Sequence, residues 1–140
     1  MFPWIHQRWN ISINLSAESP NPWNIFFTLK DCKKVKTKEI IGLANSDETP
    51  REILDIYKSY KVSKIVKMSS SLKFCILAAG EADIYAAKAR AYEWDIAAGH
   101  AVLENAGGIL TTHDHREFFY GKENYKNLPL IAKRSNNLVK

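Results

Sequence analysis

The side chains best suited to chemistry in this 140-residue chain lie in a few short stretches. In EWDIAAGHAVLENAGG, residues 93–108, one aspartate, Asp95, stands between a tryptophan and a run of small residues at the mouth of an apolar helical pattern. An acid there caps the helix, holds a metal ion, or does both. Taken alone, capping is the simpler account, because a carboxylate accepts the free N–H groups of a first turn and suits the positive end of the helix dipole. The residues Ala97, Ala98 and Gly99 behind it favour the metal, since they let the helix approach a sheet closely and hold the carboxylate rigid. In SSSLK, Ser70 and Lys73 bring a hydroxyl and a cationic amine to the start of another predicted helix, which suits a phosphate. The plain alternative is an N-cap beside a solvated lysine. His113-Asp114-His115 has ligand-type side chains, but in a turn-like stretch with nothing nearby to complete a site. His100, inside the helix after Asp95, is expected to pack or bond within the fold.

The elements that must position these residues are legible from residue 38 onward. EIIGLAN (39–45) reads as a buried strand, and Thr49-Pro50-Arg51-Glu52 then predicts an N-cap, a proline at the first helical position and a capping-box glutamate. A helix follows with Ile53, Ile56, Tyr57 and Tyr60 on one face. The β-branched content of 61–68 favours a strand, the serines Ser69, Ser70 and Ser71 offer caps for a helix over 72–79, and Gly80 stops it. A short strand is expected at 82–86, a helix from Asp95 to Ala106 ended by Gly107-Gly108, and strands at 108–112 and 128–132. This alternation predicts an α/β fold, a layered mixed sheet flanked by helices. Residues 1–30 hold three of the four tryptophans and three of the five prolines, with only short strands suggested at 11–15 and 24–29. The expected organisation is an irregular segment over 1–35 and an α/β domain over 36–140.

The net charge of +5 comes from 20 Lys and Arg against 15 Asp and Glu, and only residues 30–38 (KDCKKVKTK) are densely basic. That stretch reads as a solvated surface, so no nucleic-acid partner is expected. Cys32 and Cys75 do not make a disulfide framework or a C-x-x-C metal or redox pair, which fits a reducing cytoplasm. The chain start lacks the pattern of a secretory signal, and no apolar run approaches bilayer length, so a cytoplasmic protein without a membrane span is expected.

Three ordered segments resemble the inositol monophosphatase-like, metal-dependent phosphatases, and within them the 3'(2'),5'-bisphosphate nucleotidases of the CysQ type. SSLKFCILAAGEADIY (70–85) is similar to that subfamily's G-S-S-L-K-F-C-x-x-A-x-G-x-A-x-x-Y segment. EWDIAAGHAVLENAGG resembles its E-W-D-T-A-A-G-H-A-V-x-x-x-A-G-G signature, and FYGKENYKN (119–127) its closing Y-G-K-x-x-Y-x-N stretch. The resemblance runs over about residues 36–135 and implies the C-terminal subdomain of the inositol monophosphatase fold. It implies hydrolysis of the 3'-phosphate of adenosine 3',5'-bisphosphate to AMP and phosphate with Mg2+. By position, Asp95 matches a ligand of a catalytic Mg2+ that also lies near the substrate phosphate, and Ser70 and Lys73 match residues that contact the nucleotide.

Other positions depart from the family's pattern. Ala86-Ala87 follow Tyr85 where the subfamily has Y-P-R, which removes a substrate-contacting cation, and Ala44-Asn45-Ser46-Asp47 replaces an S-x-S-H stretch. Ser69 stands where a glycine is common. None of the six glycines follows an aspartate, so the family's D-P-[IL]-D-G-[TS] metal motif is missing from the chain. Three readings stay open: a truncated nucleotidase inactive alone, an interaction subunit that self-associates or complements a separate N-terminal half, and a non-functional remnant.

Overall fold

A computed structural model describes residues 39–46 and 48–138. The strands are β1 (Ile41–Ala44), β2 (Lys64–Lys67), β3 (Ile84–Ala87), β4 (Ile109–Thr112) and β5 (Leu130–Lys133), and the helices α1 (Arg51–Ser59), α2 (Leu72–Ala78) and α3 (Glu93–Asn105). They form one five-stranded sheet in the order β2-β1-β3-β5-β4. β1 runs parallel to β2 and β3, whereas β5 is antiparallel to β3 and β4. The layered, mixed α/β architecture read from the alternation is the one observed. The suggested strands at 11–15 and 24–29, and the boundary at residue 35, lie outside the described residues.

Each face of the sheet has its own core. On one, Leu43, Tyr85, Leu110, Leu130 and Ala132 of the sheet pack with Phe74 and Leu77 of α2 and Ile96 and Leu103 of α3. On the other, Ile84, Ala86 and Ile131 pack with Ile53, Tyr57 and Tyr60 from α1 and its end, the spacing read from the sequence. Fully burying a side chain of the size of Leu77 or Phe74 contributes about 1.5–3 kcal/mol. Ile56, expected on the same stripe, is only partly buried.

Several local expectations are corrected. Pro50 is the N-cap of α1 and not its first helical residue, and Glu52 makes no capping box but pairs with Lys88 at 3.1 Å. α3 begins at Glu93, so Asp95 is its third residue instead of its N-cap. Ala97 and Ala98 are exposed, and the close approach belongs to Gly99, where a Cβ would lie 2.8 Å from the Phe74 ring of α2. The small-residue run therefore seats α3 on α2, not on the sheet. β2, at the edge, is mostly exposed.

β1 and β3 pair only at Gly42–Ile84 and Leu43–Tyr85. Beyond that point the Tyr57 hydroxyl is inserted between them, donating to the Leu43 carbonyl and accepting the Ala86 N–H at 3.1 Å. The strands part at their C-terminal ends while their backbone groups stay satisfied. β1 leads through α1 to β2 on one side, and β3 leads away through α3 to the other. This reversal of direction is where open α/β sheets leave a ligand crevice.

Candidate functional site

A cavity of about 920 Å³ occupies that crevice. Its walls come from the turns after the parallel strands: Ala44, Asn45 and Ser46 after β1, Ser69, Ser70 and Ser71 after β2, and Lys88, Arg90 and Ala91 after β3. Glu48 and Thr49 before α1, Lys73 of α2, Asp95 of α3 and Asn127 of the closing loop complete the polar lining. The three residues singled out in the sequence, Ser70, Lys73 and Asp95, thus share one cavity. Asp47, at the end of the stretch that replaces S-x-S-H, lies outside the described residues.

Lys73 is only 3% exposed, and its Nζ donates to the carbonyls of Ser70 at 2.6 Å and Met68 at 3.0 Å. It stands 4.9 Å from the centre of the Tyr85 ring. Burial penalises the ammonium and pushes its pKa down to about 8. Lys73 is therefore not the solvated lysine of the plain alternative. It also fastens the turn in which Ser70, and not Ser69, takes a left-handed backbone with φ of 79°. Ser70 Oγ accepts the Leu72 N–H at 3.4 Å, whereas Ser71, the N-cap, makes no side-chain cap bond. α2 has only seven residues, so the cations of the cavity, more than its dipole, set the local potential.

Asp95 does cap the helix, from inside: its Oδ2 accepts the Tyr92 N–H at 2.8 Å. Its neighbour Glu93 has a different role. The Glu93 carboxylate is buried and accepts the N–H groups of Gly121 (2.9 Å) and Lys122 (3.0 Å) and the Lys122 ammonium (2.7 Å). The bond from Lys122, then that from Gly121, hold its pKa down at about 2. Asn127 secures the same turn from its other side, with Nδ2 donating to Tyr92 O at 2.7 Å and its backbone N–H to Ala91 O at 3.0 Å. Asn127 is 3% exposed and its Oδ1 has no partner among the described residues.

Sequence reasoning missed Lys88, Arg90 and Asn127. Ala87 stands where the family's pattern has an arginine, but Arg90, three residues on, lines the same cavity and forms no ion pair with a described residue; burial raises the pKa of Tyr85, and the Asn45 hydrogen bond and the Arg90 charge oppose that rise. The available signal was K-A-R (88–90) directly after a parallel strand, where side chains reach the crevice. Asn45, in place of part of the histidine-bearing stretch, is tied to Tyr85, its Nδ2 donating to the phenolic oxygen at 3.1 Å. His100 bonds within the fold as expected, with Nδ1 2.8 Å from the Tyr120 hydroxyl and burial lowering its pKa against the opposing Glu104. His113 and His115 assemble no site: among the described residues no three His, Cys, Asp or Glu side chains group to hold a metal ion. Mg2+ requires near-octahedral oxygen coordination, and Asp95 offers one carboxylate with an oxygen already engaged. The described residues do not by themselves fit a complete Mg2+ centre.

The matches to known proteins follow the same geometry. The inositol monophosphatase family matches residues 19–137. This chain belongs to that family. The match begins earlier than residue 36, so the family's sequence pattern reaches into a stretch whose motifs alone did not reveal it. The 3'(2'),5'-bisphosphate nucleotidase CysQ of Buchnera aphidicola is 46% identical over 73 residues, which are 52% of this chain and 26% of that protein. An uncharacterized protein in the pss 5' region of Rhizobium leguminosarum is 49% identical over 63 residues, 45% of this chain and 66% of that protein. The crystal structure of CysQ from Bacteroides thetaiotaomicron superposes with a TM-score of 0.60 at 32% identity, over 69% of this chain and 38% of that one. The chain thus spans about a quarter of the Buchnera nucleotidase and well under half of the solved CysQ. Among the described residues no helix is long and apolar enough to cross a membrane.

Proposed function

We propose that the crevice between β1 and β3 binds a small phosphoester, adenosine 3',5'-bisphosphate being the first candidate, and that this chain alone does not hydrolyse it. The observation that carries this reading is the convergence of Ser70, Lys73, Arg90 and Asp95 on one cavity at the strand ends. The likeness to CysQ supports the choice of nucleotide. The guanidinium of Arg90 presents a planar fork of N–H donors that suits a phosphate, Ser70 adds a hydroxyl donor, and Lys73 adds positive potential from below the serine turn. Asp95 would supply one oxygen to a Mg2+ ion. When bound, such an ion neutralises phosphate charge and acidifies a water nucleophile. The described carboxylates lining the cavity are Asp95 and Glu48, no three ligand side chains group to hold a metal ion among the described residues, and no hydrolytic step is assigned to them.

Calorimetric titration tests the binding reading. Adenosine 3',5'-bisphosphate is expected to bind more tightly than AMP, and Arg90→Ala to weaken it by about tenfold or more, the worth of one charged hydrogen bond. Absence of binding, or an Arg90→Ala affinity equal to that of the unaltered chain, would contradict it.

A second reading, an interaction subunit, is favoured by exposed aromatics beside the helix mouth. Trp94 is 63% exposed and stacks on Tyr92 at 4.7 Å, with Tyr125, 56% exposed, at 6.0 Å. Sedimentation over a range of concentrations, alone and with a separately expressed chain carrying the D-P-[IL]-D-G-[TS] motif, would detect self-association or complementation. A monomer under every condition would set this reading aside.

A further inference from the structure

Lys73 joins the turns that wall the cavity. Its Nζ donates to Ser70 O at 2.6 Å and to Met68 O at 3.0 Å, which fastens the turn after β2. The same ammonium stands over the Tyr85 ring of β3, 4.9 Å from its centre, and Phe74 meets that ring edge-on at 6.0 Å. The Tyr85 hydroxyl then reaches the turn after β1, accepting from Asn45 Nδ2 at 3.1 Å and donating to Asn45 Oδ1 at 3.3 Å. An ammonium has three N–H donors. Here two meet carbonyls, an aromatic face lies beneath the charge, and the residue is buried, so the bonds of Nζ are made to the protein itself.

The turn that Lys73 fastens needs a clamp. Ser70 has a φ of 79°, a left-handed conformation that a residue with a Cβ seldom adopts and that persists only where surrounding contacts hold it. Ser70 lines the cavity, so where its hydroxyl stands depends on that backbone conformation. We propose that Lys73 is a positioning residue for the bound phosphoester. It does not touch the phosphate; it holds Ser70 in its left-handed turn and, through the ring and hydroxyl of Tyr85, fixes Asn45 in the turn after β1. The family resemblance gives Lys73 as a nucleotide contact, whereas this arrangement leaves direct contact to Ser70 and Arg90. The inference rests on the cavity receiving a phosphoester, as proposed above.

Calorimetric titration of the full 140-residue chain with adenosine 3',5'-bisphosphate tests it, through a double-mutant cycle between Lys73→Met and Ser70→Gly. Methionine keeps the apolar stem of lysine and removes the donor to both carbonyls. Glycine takes a left-handed φ without steric cost but carries no hydroxyl. Lys73→Met should raise the Kd by about tenfold with the binding-competent fraction unchanged, whereas a purely structural loss would lower that fraction at constant Kd. Ser70→Gly should weaken binding several-fold in the unaltered chain, where the hydroxyl is lost, yet strengthen it several-fold when added to Lys73→Met, because glycine takes up the turn without the clamp. Weakening by Ser70→Gly in both backgrounds is the result of a direct Lys73 contact and would overturn the proposal. Tyr85→Phe keeps the ring and removes the hydroxyl, so its Kd should rise a few-fold; an unchanged Kd would overturn the link to Asn45.

A crystal structure of the unaltered chain with the nucleotide bound depends on no variant folding. Both carbonyl bonds of Nζ should persist, with no phosphate oxygen within about 3.5 Å of it, and an Nζ bonded to the phosphate would overturn the proposal. If the unaltered chain binds no nucleotide, the reading of the crevice fails and this inference with it. If it binds and Lys73→Met binds equally well, only the positioning role fails.

Discussion

Two sides of one helical turn divide the labour at the mouth of α3. On the loop side, Glu93 is buried and takes three hydrogen bonds from Gly121 and Lys122. On the cavity side, two residues on, Asp95 is exposed and takes one from its own helix start. Both are acids in a first turn and would satisfy the same dipole argument. What separates them is a loop about thirty residues further on, which closes over Glu93 and leaves Asp95 facing the crevice. The same division recurs in the lysines: Lys122 is paired and neutralised by Glu93, while Lys73 rests on carbonyls without an acid. The loop side pairs its charges, whereas on the cavity side Lys73 and Arg90 form no ion pair with a described residue.

Substitutions sharpen this comparison in order of expected effect. Phe74→Ala should be the most damaging, because Phe74 is fully buried and forms the seat of Gly99; a loss of about 3–5 kcal/mol in denaturant unfolding is expected, on both sides at once. Asn127→Ala removes the donor to the Tyr92 carbonyl and should cost about 1–3 kcal/mol, a penalty for a carbonyl left without its partner. A cost under about 0.3 kcal/mol would show that the loop does not brace the turn.

For Glu93 the informative measurement is stability against pH. Its carboxylate is harder to protonate folded, at about 2, than unfolded, near 4.5, so as pH falls the unfolded chain takes up the proton first. The contribution of Glu93 is therefore complete above about 4.5 and lost progressively toward 2. Glu93→Gln should be less stable at neutral pH and flatten this acid limb. An unchanged acid limb would mean that the loop clasp is not electrostatic.

Asp95→Asn should have the smallest effect on stability, under about 1 kcal/mol, since the asparagine Oδ1 can still accept the exposed Tyr92 N–H. Its effect belongs to ligand binding. Without Mg2+ the variant should bind adenosine 3',5'-bisphosphate a few-fold more tightly, one repelling charge having gone, and any gain on adding Mg2+ should vanish. Identical Mg2+ responses in both proteins would remove Asp95 from the cavity's function.

The elements were legible because their signals are local: Ile53, Tyr57 and Tyr60 repeat along one face of α1, and glycines mark the ends of α2 and α3. Residue types at helix starts and family motifs single out Ser70, Lys73 and Asp95, and the fold brings all three to one cavity. The parting of β1 from β3 was not legible, since it depends on one hydroxyl, that of Tyr57, reaching two strands far away in sequence. Nor was the contrast between Glu93 and Asp95, which their own neighbours in the chain do not distinguish. Arg90 carries no such family-motif signal: Ala87 stands at the position of the family pattern's arginine, and only the fold brings a cation three residues later to the same cavity.

The central claim is that this chain retains a phosphate-binding crevice without a complete hydrolytic centre. Its most direct test is phosphate release from adenosine 3',5'-bisphosphate by the purified chain with Mg2+ present, alongside nucleotide binding on the same sample. Binding with no release above the uncatalysed background is the predicted result, and turnover of roughly 1 per second or more, as in a competent enzyme, would contradict it.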